Sequence, residues 1–362
     1  MWRLTRPDAE AVLSDSRAKR SLPRYLDIVA RRRTAKFLIA KKLPVELREE
    51  DSTGDLWRLH EDTTKRYYDV EKEIDEGRIG LEELSRGEKS YLDLKCELAR
   101  RIMTACHFCE RGCGVNRLEG KRGYCRCGPE MAVSTIFPHM GEEPELVPSG
   151  TVFSCGCTMR CIHCQNWSIS QWNERGEHYT PERLAPAVEA LSRMGCRNVN
   201  MVGGEPTPNL WFWLKTMSFV KANIPTVWNS NSYHSPEAAR LLAGFIDIYL
   251  LDFKYGNNAC AEAISGAPGY WEACTRNHLE AAKHGELIIR VLVLPEHNDC
   301  CTMPILEWIA KNLGPWTRVN LMFQYRPEYR AQERKELRRR LTGQEEAEAL
   351  QIAKKAGLLN LV

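Results

Sequence analysis

Three cysteines with short, unequal spacing are the part of this sequence that most directly indicates chemistry. Cys157, Cys161 and Cys164 form a C-x3-C-x2-C motif. Closely spaced thiolates are typical ligands of an iron–sulfur cluster, and a [4Fe–4S] cube held by three cysteines keeps one iron free of protein ligands. An open metal position indicates a reactive centre, whereas a structural site fills its coordination sphere. A zinc site with Cys155 or His163 as its fourth ligand is the alternative that the spacing leaves open.

A second group of cysteines lies upstream, in a segment rich in glycine. Its spacing is C-x2-C-x3-C followed by two further cysteines, and its members are Cys106, Cys109, Cys113, Cys125 and Cys127. Four thiols complete a tetrahedral site, and His107 is an alternative ligand. Soft thiolates bind both zinc and iron–sulfur clusters, so either metal is compatible with the spacing. A metal-free thiol segment is the other alternative. We expect a second metal site, for zinc or an auxiliary cluster, at Cys106, Cys109, Cys113 and Cys125.

The overall composition restricts the classes of protein to which the chain can belong. The 362 residues include fifteen cysteines, nine of them between Cys106 and Cys164, and no apolar export signal is visible at the N-terminus. This combination argues against a disulfide scaffold and favours metal or redox chemistry in the cytoplasm. The formal charge of +3 does not indicate a nucleic-acid partner. Apolar runs such as residues 246–251 are far shorter than the ~20 residues of a membrane span.

The elements that must position the cysteines follow a regular alternation. Six apolar runs predict strands, at residues 151–155, 197–202, 225–229, 245–253, 287–294 and 317–323. Helical patterns lie between and after them, at residues 181–194, 208–223, 236–244, 269–284, 302–313 and 330–355. Nearly continuous apolar strands that alternate with helices predict a parallel sheet covered by helices. An open partial barrel and a doubly wound sheet both fit, and either places an active site at the carboxyl ends of the strands.

Motifs at successive strand ends give the sequence a family resemblance. With its three-cysteine motif after the first strand, the chain resembles the radical S-adenosylmethionine (SAM) superfamily. Val202-Gly203-Gly204-Glu205-Pro206, after the second strand, is similar to the glycine-glycine-glutamate motif that contacts the amino group of SAM. Asn229-Ser230-Asn231 resembles the polar stretch that faces the ribose and carboxylate of SAM, and Arg290 is a further candidate for these groups. Asp252-Phe253-Lys254 is similar to the Asp-x-Lys pair of glycyl-radical activating enzymes.

This resemblance implies a fold, two cofactors and a reaction. The fold is a partial (β/α)6 barrel, and the cofactors are a [4Fe–4S] cluster and SAM. An external one-electron donor such as ferredoxin or flavodoxin reduces the cluster, and SAM is cleaved to methionine and a 5′-deoxyadenosyl radical that abstracts hydrogen from a substrate. By the same resemblance, Glu205 anchors the methionine ammonium, and Asp252 and Lys254 lie beside the radical and orient the target.

A narrower resemblance concerns the substrate. Residues 139–170 and 319–329 resemble the pyruvate-formate-lyase activating enzymes of the X subtype, and the likeness extends over about residues 104–330. It implies an activase that places a glycyl radical on a partner protein. Radical modification of a small molecule or of another protein side chain is an alternative, as is a metal-binding interaction module without catalysis. The sequence departs from the family at His163, where an aromatic residue is common, and in the N-terminal 95 residues, which have no counterpart.

The N-terminal region also differs in composition from the rest of the chain. Its first fifty residues contain 13 Lys or Arg and 7 Asp or Glu. Residues 25–43 and 90–104 space their apolar side chains as amphipathic helices do. We therefore predict a charged helical extension (1–100), a cysteine-rich metal-binding segment (101–145), the radical SAM partial barrel (146–330) and C-terminal helices (331–362).

Overall fold

The computed structural model describes residues 2–84 and 87–362. Its N-terminal part is helical, with α1 (Trp2–Thr5), α2 (Pro7–Ala11), α3 (Ser16–Ser21), α4 (Pro23–Val29), α5 (Lys36–Lys42), α6 (Thr53–Asp75) and α7 (Tyr91–Thr104), and with two short paired strands, β1 (Pro44–Val45) and β2 (Lys89–Ser90). Helix α7 begins at a capping box in which Ser90 and Asp93 satisfy each other's backbone N–H groups, as predicted for residues 90–104. The predicted helix over 25–43 is instead divided into α4 and α5. Arg31 adopts a left-handed conformation between them (φ 60°), through which a helix cannot continue.

An eight-stranded sheet forms the centre of the rest of the molecule. Its strands are β3 (Met131–His139), β4 (Ser149–Ser154), β5 (Glu177–Tyr179), β6 (Asn198–Gly203), β7 (Thr226–Ser230), β8 (Ile248–Asp252), β9 (Glu286–Leu292) and β10 (Arg318–Met322). The order across the sheet is β10-β9-β8-β7-β6-β4-β3-β5. Neighbours from β4 to β10 pair in parallel, whereas β3 is antiparallel to both β4 and β5. The predicted α/β class with a mostly parallel sheet is confirmed and fits a partial barrel. The antiparallel edge formed by β3 and β5 was not predicted.

Helices connect and cover the parallel strands. They are α8 (Trp167–Ser170), α9 (Pro181–Arg193), α10 (Leu210–Phe219), α11 (Pro236–Leu242), α12 (Asn258–Ser265), α13 (Tyr270–His284), α14 (Met303–Asn312) and α15 (Gly343–Lys355). Residues 330–355 form only one α-helix, because Thr342 and Glu345 build a new capping box that starts α15. Helix α12 was not predicted. No described helix has the length and apolar character needed to cross a membrane.

Buried ion pairs attach the segment before β4 to one face of the sheet. Arg290 on β9 donates to both carboxylate oxygens of Glu143 at 2.6 Å and also pairs with Glu142. Arg318 on β10 binds Glu145 at 2.6 Å. The three glutamates are buried. Because Arg290 and Arg318 of the sheet pair with these carboxylates, the segment that leads into β4 and the C-x3-C-x2-C motif is held in a fixed position.

A second set of buried ion pairs attaches the N-terminal helices to the amino ends of the strands. Arg24 contacts Asp75 at 2.8 Å, Asp247 at 3.0 Å and Glu71 at 3.3 Å. Lys36 contacts Glu71 at 2.7 Å. Asp247 directly precedes β8, whereas Glu71 and Asp75 lie on α6. The helical extension therefore covers the edge of the sheet opposite the one that carries the motifs.

Replacing Arg24 should weaken this attachment strongly. In Arg24→Ala, three carboxylates lose a buried partner, and we expect the free energy of unfolding to fall by about 3–5 kcal/mol. Arg32→Ala is the control, because the Arg32 side chain is 66% exposed, and an exposed pair contributes about 1 kcal/mol or less. Urea denaturation of the apoprotein measures both. Equal, small losses in the two variants would show that the Arg24 contacts do not hold the extension.

Glu142 should make stability depend on pH. Burial raises the pKa of Glu142, but attraction to Arg290 and a hydrogen bond from His139 lower it to about 2, below the usual 4.5. The stabilisation is therefore present above pH ~4.5 and is lost as the pH falls towards 2, on the order of 3 kcal/mol in total. In the Glu142→Gln apoprotein, the free energy of unfolding should depend less steeply on pH between pH 5 and pH 2 than it does in wild type. Glu182→Gln, on the exposed surface of α9, should leave the pH dependence unchanged, and an identical slope in Glu142→Gln would contradict the assignment.

Candidate metal centre

The three thiols of the C-x3-C-x2-C motif lie on one loop at the carboxyl ends of the strands, although their sulfur atoms do not all come within 4.8 Å of one another. The loop that carries Cys157, Cys161 and Cys164 follows β4 directly. Burial raises the pKa of Cys157, and the charges of Glu205, Cys161 and Cys164 raise it further. Burial and the nearby Cys161 raise the pKa of Cys164 to about 11. Thiols that oppose each other's ionisation become thiolates at neutral pH when a metal offsets their charge, so this set fits a metal cluster.

Two serine hydroxyls lie against the motif thiols. Ser265 Oγ donates to Cys161 Sγ at 2.9 Å, and the hydroxyl of Ser170 lies 3.3 Å from Cys164 Sγ. Hydrogen bonds to ligand sulfurs adjust the properties of a metal centre. Sequence reasoning missed both serines. Ser265 ends the unpredicted helix α12, one hundred residues beyond the motif, and no local pattern indicates such a contact.

Glu205 joins the loops that follow β6 and β7. Its carboxylate accepts hydrogen bonds from Thr207 N at 3.2 Å, Thr207 Oγ1 at 2.6 Å, Ser230 Oγ at 2.7 Å and Asn231 N at 2.8 Å. Three of these donors bind Oε1 and one binds Oε2, so both carboxylate oxygens are fixed by hydrogen bonds. The side-chain amide of Asn231 in turn lies 3.6 Å from Cys157 Sγ. Glu205 therefore positions Asn231 beside a motif thiol, and its predicted contact with the SAM ammonium stays a prediction.

The two glycines before Glu205 are required by close packing. Gly203 has φ +129°, and a Cβ there would lie 2.0 Å from the carbonyl oxygen of Ser154. A Cβ on Gly204 would lie 2.3 Å from the carbonyl oxygen of Gly156 and 2.8 Å from Cα of Ser170. Both contacts involve backbone, which cannot rotate away. The glycines therefore let this turn approach the segments that flank the cysteine motif.

Asp252 and Lys254 form an ion pair at the end of β8. Lys254 Nζ donates to Asp252 Oδ2 at 2.7 Å. Burial alone would lower the pKa of Lys254, but Asp252, Cys161 and Cys164 together raise it above its usual value. The ammonium is therefore charged and lies near two motif thiols. This is the environment that the resemblance to activating enzymes implies, and the role of the pair in catalysis stays a prediction.

Asn229 and Arg290, both predicted to bind SAM, contact each other. Arg290 Nη1 donates to Asn229 Oδ1 at 3.2 Å. The remaining guanidinium nitrogens bind Glu142 and Glu143, two carboxylates that were not predicted as site residues. The structure therefore places Arg290 in the network that fixes the segment before β4. Its contact with SAM is not tested by this geometry.

The residues suggested as a fourth zinc ligand have other partners. His163 Nε2 lies 3.2 Å from the hydroxyl of Tyr255, and burial together with Lys254 lowers the pKa of His163 to about 3, so the ring is neutral. Cys155 packs in a small apolar cluster with Ala132 and Ile169. These contacts favour a cluster held by three cysteines over a four-ligand zinc site.

The upstream cysteines also approach one another. Burial raises the pKa of Cys109, and the charges of Cys125, Cys106 and Cys113 raise it further. Among the described residues, however, these ligand atoms do not gather within 4.8 Å of one another. Cys127 points towards the main motif, with its Sγ 3.6 Å from the carbonyl oxygen of Cys155. The identity of a metal at this second group stays open.

Two arginines join the upstream segment to the motif loop. Arg111 and Arg160 stack on the ring of Tyr124, at 3.9 and 4.3 Å from its centroid. Arg111 Nε donates to the carbonyl oxygen of Thr158 at 3.1 Å, and Arg160 Nη1 donates to that of Cys157 at 2.9 Å. The two cysteine groups therefore occupy adjoining segments.

Adding one methyl group at Gly203 should disrupt the motif loop. We expect Gly203→Ala to lower the free energy of unfolding on the order of 3 kcal/mol, through strain and overlap with Ser154. The iron retained after anaerobic reconstitution should fall with it. Gly343→Ala is a matched control, because nothing lies within 4 Å of a Cβ at that helical position, and its effect should stay within about 1 kcal/mol. Normal iron content and stability in Gly203→Ala would contradict the packing argument.

Sequence comparison identifies a family model and two relatives of this chain. Residues 151–309 match the family model of the Radical SAM superfamily. The chain is 45% identical over 343 residues to the uncharacterized protein MJ0674 of Methanocaldococcus jannaschii, covering 93% of this chain and 98% of that protein. It is 27% identical over 251 residues to MJ0808 of the same organism, covering 62% of this chain and 71% of that protein.

Among solved structures, the crystal structure of Streptococcus suis SuiB matches with a TM-score of 0.41 and 13% identity, over 89% of this chain and 67% of that chain. Because the MJ0674 alignment covers 93% of the chain, it includes most of the N-terminal region. Residues 151–309 therefore form a domain of the radical SAM superfamily, whose members cleave SAM at an iron–sulfur cluster.

Proposed function

We propose that this enzyme is an activase, which uses SAM to place a radical on a glycyl residue of a partner protein. The observation that carries this proposal is the ion pair of Asp252 and Lys254, whose ammonium lies near Cys161 and Cys164. The same Asp-x-Lys spacing gave the sequence its resemblance to activating enzymes. A charged group held at the cluster end of the sheet can orient a peptide segment that enters from the strand ends.

The residues around the motif fit a [4Fe–4S] cluster and SAM. When bound, these cofactors supply the one-electron chemistry that yields the 5′-deoxyadenosyl radical. Cys157, Cys161 and Cys164 would hold the cluster. The turn at Gly203 and Gly204 packs closely against the backbone of Ser154 and Gly156, which flanks the motif.

The protein's own groups would orient the substrate and control charge. Lys254 remains protonated because Asp252 compensates for its burial. Glu205 fixes the loop of Asn231, whose amide faces Cys157. His163 is neutral and hydrogen-bonded to Tyr255, so it adds no charge beside the thiols.

Electrons would come from a ferredoxin or flavodoxin. The adjoining cysteine segment supports a route for them, since Arg111, Arg160 and Tyr124 connect it to the motif loop. An auxiliary cluster at the upstream cysteines would relay the electron, whereas zinc there would be structural.

Removal of one motif thiol tests the radical chemistry. After anaerobic reconstitution with iron and sulfide, reduced wild-type protein should convert SAM into methionine and 5′-deoxyadenosine. Cys161→Ala should lower this conversion to background, because the cluster loses a ligand. Cys196→Ala, which removes a buried free thiol elsewhere, should retain it. Equal conversion in wild type and Cys161→Ala would contradict the assignment of this motif.

Substitution of Lys254 tests the activase proposal. Incubation of the reduced enzyme and SAM with glycyl-radical enzymes should give an organic radical detected by electron paramagnetic resonance. Lys254→Met should retain its iron and SAM cleavage but lose most of the radical transferred. SAM cleavage without a glycyl radical on any candidate would count against the activase and favour modification of a small molecule or another side chain.

A further inference from the structure

Four side chains that can bind a metal come together beside the loop of Lys254, three of them from residues 297–301 and the fourth from position 260. We propose that they form a closed, tetrahedral zinc site, distinct from both cysteine groups described above. The ligands are Cys260, His297, Cys300 and Cys301. The proposal does not depend on the activase function, because it concerns metal binding and not radical transfer.

The ligand atoms have the separations of a single bound ion. His297 Nδ1 lies 3.2 Å from Cys300 Sγ and 3.8 Å from the Sγ atoms of both Cys260 and Cys301. Cys300 Sγ lies 3.9 Å from each of the other two sulfurs. All four atoms lie within 4.8 Å of one another, and no other group of three or more among the described residues does so.

These separations distinguish a mononuclear ion from a cluster. Zinc–sulfur bonds of ~2.3 Å and zinc–nitrogen bonds of ~2.0 Å give tetrahedral edges of about 3.8 Å between sulfurs and about 3.5 Å between sulfur and nitrogen. The observed distances lie near both values. In an iron–sulfur cube each thiolate binds a different iron, which holds the sulfurs further apart. Three thiolates and one imidazole filling a tetrahedron are typical of structural zinc.

The local backbone explains how adjacent cysteines can both face one ion. Residues Asn298–Thr302 form a π-helical turn directly after His297, with Thr302 N bonded to the carbonyl oxygen of His297 at 3.1 Å. Adjacent side chains of an α-helix point about 100° apart. The wider π turn brings the thiols of Cys300 and Cys301 to the same side as the His297 ring. Single π turns occur frequently at functional sites.

Contacts around the ligands hold the two loops together. Asn257 accepts from Cys260 N at 2.8 Å and donates to the carbonyl oxygen of Cys300 at 2.8 Å. A Cβ on Gly256 would lie 2.7 Å and 2.8 Å from the carbonyl oxygens of Cys301 and Cys300, so the loops meet at backbone distance. This packing fixes the ligands before a metal arrives.

The second nitrogen of the histidine faces a carboxylate. His297 Nε2 lies 3.9 Å from Glu336 Oε1, while Nδ1 faces the three sulfurs. Histidines that bind metal commonly direct their other nitrogen to a carboxylate, which fixes the ring orientation. Both ring nitrogens of His297 therefore have a defined role at this site.

Zinc here would stabilise the edge of the candidate active site. The loop after β8 carries Lys254 and Tyr255 before it reaches Cys260, and the other three ligands follow β9. The Tyr255 hydroxyl lies 2.5 Å from Ser265 Oγ, the group that donates to Cys161. A zinc ion bound by residues of the loops after β8 and β9 would thus crosslink these loops and limit the movement of Lys254 relative to the motif thiols.

Zinc content of the full-length protein tests this site. Anaerobically purified protein is analysed for zinc and iron by mass spectrometry. Compared with wild type, Cys260→Ser and Cys300→Ser should each lose one equivalent of zinc and keep their iron. Cys196→Ser, a buried thiol outside the site, should lose none. Unchanged zinc in both site variants would overturn the proposal.

X-ray absorption at the zinc edge of wild-type protein keeps the test decisive if a variant does not fold. The same spectrum is also recorded on a Cys109→Ser variant, which removes any contribution from the upstream cysteines. The remaining zinc should show three sulfurs at ~2.3 Å and one nitrogen at ~2.0 Å. Absence of zinc, iron in its place, or a shell without nitrogen would overturn the assignment. Loss of SAM cleavage with this shell intact would instead count against the proposed function alone.

Discussion

Thiolates buried at one edge of a sheet repel one another, and the fold around Cys157, Cys161 and Cys164 is organised to offset that repulsion. Parallel strands bring their carboxyl ends to the same edge, so loops far apart in sequence converge on the motif. Ser265 donates to one thiol, and the ammonium of Lys254 lies close to two. A bound cluster would supply the rest of the positive charge. The three thiols and their neighbours therefore fit a metal cluster.

At the opposite edge of the sheet, where the strands begin, buried carboxylates need positively charged partners. Arg24 and Lys36 bring cations to the amino ends of the strands, where Asp247, Glu71 and Asp75 need buried partners. The charge excess of the N-terminal region thus serves an internal attachment at these positions. These ion pairs fix the helical extension at the amino ends of the strands, so it does not cover the carboxyl ends, where the candidate site lies.

Local patterns in the sequence predict much of this structure. The six parallel strands are evident from apolar runs, and the C-x3-C-x2-C motif marks the edge where the site forms. Contacts between distant segments are not predictable in the same way. Nothing near Cys161 indicates Ser265, and nothing near Arg290 indicates Glu143, because each pair meets only after the sheet has formed. The cysteines of the zinc site illustrate the same limit, since Cys260 lies far in sequence from its partners.

The three motif cysteines would hold a cluster whose open iron binds SAM. Electron paramagnetic resonance of the reconstituted, reduced protein, recorded with and without SAM, tests this most directly. We expect the signal of a reduced [4Fe–4S] cluster that changes shape when SAM is added, and no such signal in Cys161→Ala. A cluster signal that is identical with and without SAM, or that persists in Cys161→Ala, would contradict it.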